Sequence, residues 1–101
     1  MQDMSYFIEL LEKIDGCIKH ELGLIETGIE TEWNSVCLKN IILPEITFLL
    51  ENARKGKSIY KYGKEQRMLE STYVMTDSCK NLFATALGSK LVELQNLYDS
   101  L

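Results

Sequence analysis

The side chains best equipped for chemistry in this chain are its one histidine and three cysteines. His20 stands three residues after Cys17, a spacing that places both on one face of a helix and supplies two metal ligands. A site needs three or four, and neither Glu12 nor Glu21 nor a distant cysteine completes it by spacing. Cys17 and His20 also make a formal nucleophile pair, but the apolar helical setting of Cys17 suits a small hydrophobe better than a reactive thiolate. Gly56-Lys57-Ser58 copies the tail of a phosphate-binding loop, G-x-x-x-x-G-K-[ST]. The first glycine position is Glu51, however, and the segment leaves a helix, whereas such a loop opens one. Ser58-Ile59-Tyr60-Lys61 fits S-x-x-K without the companion elements of serine acyl enzymes. These mismatches lead us to expect no enzyme, no cofactor and no metal site.

The charge distribution is more informative. The net charge is −4, from 11 basic and 15 acidic residues, with a pI near 5.0. Residues 1–53 hold ten of the acids and three of the bases, so that half carries −7 and the remainder +3. Within the remainder, Arg54, Lys55, Lys57, Lys61, Lys64 and Arg67 face a single acid, Glu65, with Tyr60 and Tyr62 interleaved. Two readings follow. In the first, the chain is a small acidic protein-binding module, an inhibitor, immunity or adaptor protein. Glu26, Glu30 and Glu32 would steer it onto a basic partner, with Trp33 as the hot spot if exposed. In the second, the Arg54–Arg67 segment holds phosphate or single-stranded nucleic acid, lysines on the backbone and Tyr60 or Tyr62 on the bases. The first is preferred, because a solvated helix connection explains the basic segment equally well.

Either surface must be carried by helices, because apolar residues recur at three and four almost throughout. Phe7, Leu10, Leu11, Ile14, Cys17 and Ile18 define a helix over about 5–20, with Ser5 or Asp3 as its cap. Ile25, Ile29, Trp33, Val36, Cys37 and Ile41 define a second over about 26–41, in which Gly28 is a cost or a starting point. A strand pair around Gly28 is the minor alternative. Pro44 removes an amide donor and disfavours helical geometry at Leu43, so a break is expected there, with a third helix over about 44–55 and Gly56 in its C-terminal cap. A fourth is expected over about 62–81, with Met68, Thr72, Met75, Cys79 and Leu82 in one stripe. The fifth, about 86–100, has Thr85 as cap. Its seam of Leu87, Leu91, Leu94, Tyr98 and Leu101 packs on its siblings or on a second copy in a homodimer.

The fold expected is therefore all-α, a compact antiparallel bundle of four to five helices in one domain, 1–101. At 101 residues, 46% apolar and 26% charged, the chain has the composition of a domain that builds one core without staples. The start Met1-Gln2-Asp3-Met4 lacks the pattern of a secretory signal, and Ile41 to Leu50, interrupted by Pro44 and Glu45, is too short for a membrane span. With three widely spaced cysteines, the expected location is a reducing cytoplasm. In size and helix count the chain resembles compact helical immunity proteins, a likeness of architecture that names no residue.

Overall fold

A computed structural model describes residues 4–60 and 68–100. All regular structure in them is helical: α1 (Ser5–Glu26), α2 (Ser35–Cys37), a π turn (Leu38–Ile42), α3 (Leu43–Arg54), α4 (Glu70–Asp77), a 3₁₀ turn (Leu82–Ala84) and α5 (Ala86–Ser100). The chain is a small helical bundle, as its periodicity requires. Among the described residues no helix is long and apolar enough to cross a membrane.

α1 runs six residues beyond the expected end at position 20, and the second helix does not begin at 26. Gly28 decides both points. At φ +84° it takes the left-handed conformation, its amide donates to the Ile25 carbonyl, and the Ile29 amide reaches back to Leu24. That is a Schellman terminus, so Gly28 stops a helix instead of starting one and leaves no strand there. Ile29, expected on a buried face, is 52% exposed in the loop that follows. At the other end of α1, Met4 holds the cap position without a side-chain cap bond, and Ser5 is already helical.

The expected break at Pro44 is absent. α2, the π turn and α3 form one continuous helical rod from Ser35 to Arg54, with Ile42 and Leu43 both in right-handed helical geometry. Proline needs room for its ring and has no amide to give. The wide turn meets both conditions: the Leu43 amide bonds five residues back, to Leu38, and the ladder resumes beyond Pro44. The rod ends at Gly56 as expected, in a second Schellman terminus with φ +69°. The amides of Gly56 and Lys57 there cap the carbonyls of Ala53 and Asn52.

α4 is much shorter than the expected 62–81. Residues 61–67 lie outside the described residues, and at the far end Ser78 turns to extended geometry. Of the expected stripe, Met75 and Leu82 are buried, whereas Cys79 is exposed and Met68 is 38% exposed. α5 matches its expected bounds. Thr85 Oγ1 accepts the Gly88 amide at 2.9 Å, the capping bond the sequence implies. Leu87, Leu91, Leu94 and Tyr98 are all at most 2% exposed and join the core of the same chain, while Leu101, the last residue of the expected seam, lies outside the described residues.

The core joins these pieces. Phe7, Leu11, Ile14 and Ile18 of α1 pack with Ile46 and Leu49 of α3 and the α5 seam. α5 can come this close to the 3₁₀ turn because residue 88 is glycine: a Cβ there would lie 1.7 Å from the Leu82 carbonyl oxygen.

Candidate functional site

Trp33 lies in the connection between α1 and α2, and local hydrogen bonds fix it on both sides. The Thr31 hydroxyl accepts the Trp33 amide at 3.0 Å, and the Asn34 side chain accepts the amides of Val36 and Cys37 at 2.8 and 3.3 Å, capping α2. Trp33 and Leu38 then occupy the two positions of a hydrophobic staple, and both are buried. The tryptophan is 4% exposed, and its Nε1 is buried without an acceptor among the described residues. An unpaired buried N–H costs on the order of 1–3 kcal/mol. Trp33 is thus anchored in the core and is not the exposed hot spot considered from the sequence.

Across from this connection stands α4, held by a cap that no local sequence supplies. The Glu45 carboxylate of α3 accepts the Glu70 amide at 2.7 Å, the Ser71 amide at 2.9 Å and the Ser71 hydroxyl at 2.6 Å. From α5, Gln95 Oε1 accepts the Leu69 amide at 2.8 Å and the Thr72 hydroxyl at 2.7 Å. The orphan donors of the first turn are therefore satisfied by two other helices. Negative charge from Glu45 also suits the positive end of the α4 dipole.

Between the two lies a groove of about 620 Å³. One wall is Glu70, Tyr73, Val74 and Asp77 of α4; the other is Trp33, Cys37 and Ile41, with Leu82 closing the space and Glu32 on the rim. Its lining is mainly apolar, yet among the described residues it includes three carboxylates, Glu32, Glu70 and Asp77, and no lysine or arginine. None of the three forms an ion pair among the described residues. Tyr73, 54% exposed, and the nearby Val36, 60% exposed, extend apolar surface outward. The π turn contributes Ile41 to this wall; such turns occur often at functional sites.

Of the residues singled out in the sequence, Glu32 and Trp33 come together in this groove. Glu26 ends α1 and Glu30 lies in the following loop; both are exposed, and neither lines the groove. The basic segment is partly committed elsewhere. Arg54 pairs with Glu12 at 2.8 Å, both about half exposed, and Tyr60 packs its ring at a tilt of 54° against Tyr98, with ring centroids 5.1 Å apart. Lys55 and Lys57 are exposed. Lys61, Tyr62, Lys64 and Arg67 lie outside the described residues. Since the amides of Gly56 and Lys57 cap α3, the Gly56-Lys57-Ser58 run does not form a phosphate cradle.

Cys17 and His20 do line one cavity, with Glu21, Lys13 and Lys90, but among the described residues no group of three or more His, Cys, Asp or Glu could hold a metal. Farther along the same pair of helices, Tyr6 of α1 donates its hydroxyl to Glu93 of α5. That bond, with smaller contributions from burial and from the charges of Glu93 and Glu9, holds the phenol above its ordinary value of 10.0.

Sequence reasoning missed Glu70, Tyr73 and Asp77, because α4 was absorbed into a longer helix judged by its apolar stripe. Their own spacing, with acids at the ends of a two-turn face and apolar residues between, was the available signal. Comparison of the chain with family models, curated proteins and solved structures finds no match.

Proposed function

We propose that this protein is a non-catalytic protein-binding module, of the inhibitor, immunity or adaptor kind, that receives a basic partner surface in the groove between Trp33 and α4. The observation that carries this reading is the set of Glu32, Glu70 and Asp77 around an apolar groove with no base among the described residues of its lining. Apolar area supplies affinity, and the carboxylates, without ion-pair partners among the described residues, give steering and select against acidic surfaces. Three free thiols, Cys17, Cys37 and Cys79, accord with a reducing cytoplasm as its compartment.

The test is a comparison of baits in lysate of the source cells: wild type, a Glu32→Gln/Glu70→Gln/Asp77→Asn variant, and a Lys55→Glu/Lys57→Glu variant. A partner held by the wild type and the lysine variant, and lost from the carboxylate variant and at high salt, is the expected result. Retention by the carboxylate variant with loss from the lysine variant would move function to the basic segment and end this reading.

A further inference from the structure

We infer that the occupant of the groove is an amphipathic helix of the partner, with basic side chains at positions i and i+7 that bracket apolar ones at i+3 and i+4. The inference rests on the protein-binding reading above and specifies its chemistry.

Three observations lead to it. The first is the kind of wall the groove offers. No strand occurs among the described residues, so no sheet edge is present there to hydrogen-bond an extended peptide. Recognition must then be made by side chains, and a groove between helical walls suits a helix laid along it.

The second is the order of residues on α4. Glu70, Tyr73, Val74 and Asp77 follow the spacing i, i+3, i+4, i+7, one face over two turns, and all four line the groove. The apolar pair sits in the middle and the carboxylates at the ends, separated along the axis by about 10.5 Å at 1.5 Å per residue. A ligand helix beside it presents the same repeat. Cations seven residues apart on that helix meet Glu70 and Asp77 while the residues between them meet Tyr73 and Val74. The pattern reads the same in both directions, so it holds whether the ligand runs parallel or antiparallel to α4. Trp33, Cys37 and Ile41 on the other wall keep four-residue steps and offer the ligand a second apolar row.

The third is that Asp77 opposes the interests of its own helix. It is the last residue of α4, where the dipole is negative, and no basic residue occupies that turn. Glu70 is explained by its place in the first turn; Asp77 is not. A cation brought by the partner at that end relieves both Asp77 and the helix terminus.

The test uses two tryptophan-free, helix-stabilised synthetic peptides of one composition. One has lysines at i and i+7 around leucines at i+3 and i+4; the other exchanges the lysines with the leucines. Emission of Trp33, the sole tryptophan, and calorimetry read binding to the full chain. The matched peptide is expected to bind at least tenfold more tightly. Asp77→Lys, which also suits the helix end, is expected to transfer the preference to a peptide with glutamate at the facing position. Circular dichroism checks that this variant is folded, and alkylation of Cys37 on the unaltered chain should be slowed by the matched peptide alone. Equal binding of both peptides would overturn the spacing rule and leave the protein-binding reading intact. Binding of neither would overturn the helical occupant, and the bait comparison above would then decide the reading itself.

Discussion

α4 and α5 lie side by side and are built in opposite ways. α5 has 15 residues, its own cap in Thr85, and a seam whose four described members are buried in the core. α4 has 8 residues, takes its first-turn acceptors from Glu45 and Gln95, and buries only Ser71 and Met75. A helix of two turns is below the length that holds together alone in water. The difference teaches which helix is scaffold and which is display. α5 spends its described seam on the core, whereas α4 turns Glu70, Tyr73, Val74 and Asp77 to a groove and depends on its neighbours to keep them there.

The contrast can be broken most sharply at Gly88. Valine in its place must displace the Leu82 carbonyl, because even a Cβ would lie 1.7 Å from that oxygen. A loss of about 3 kcal/mol or more is expected from such overpacking, read as a lower urea midpoint, with both helices affected because the core opens. Glu45→Ala should separate the two. It removes the acceptor of two amides and a hydroxyl at the start of α4, costing about 2 kcal/mol. Hydrogen exchange should show α4 amides losing protection while those of α5 keep theirs; uniform loss would mean that the two helices form one cooperative unit.

Thr85→Ala is the converse and smaller change. Loss of the Gly88 capping bond should cost about 1 kcal/mol and fray the first turn of α5 without touching the groove peptides' binding. Smallest is Glu93→Gln on the outer side of α5. Removing the carboxylate that accepts the Tyr6 hydroxyl should bring the phenol's titration down towards its ordinary value, seen by ultraviolet difference absorbance, with little change in folding. Tyrosinate forms at lower pH in the variant than in the wild type. A titration unchanged by Glu93→Gln would assign the rise to Glu9 or to burial.

Legibility followed the range of the interaction. The helical class, the core residues of α1, the Gly56 terminus and the whole of α5 could be read because spacing, caps and terminators lie within a few residues of what they control. Gly28 carries a stop signal inside the four-residue step from Ile25 to Trp33, and its left-handed conformation overrides that step. Of the candidate site, Glu32 and Trp33 were legible as an acidic residue and an aromatic one. Their partners on α4 were not, for their role exists only once α4 stands opposite.

The sequence by itself thus determined that this chain is helical, where charge of each sign accumulates, and which residues of α1 and α5 turn inward, since periodicity and capping are properties of neighbouring residues. The tertiary structure alone decided that Pro44 sits inside a continuous rod, that α4 begins at Glu70, and that three carboxylates share an apolar groove. In each case the deciding group is remote or geometric: a π turn that admits the proline ring, a glutamate twenty-five residues upstream that caps the helix, and two helical walls brought face to face by a common core.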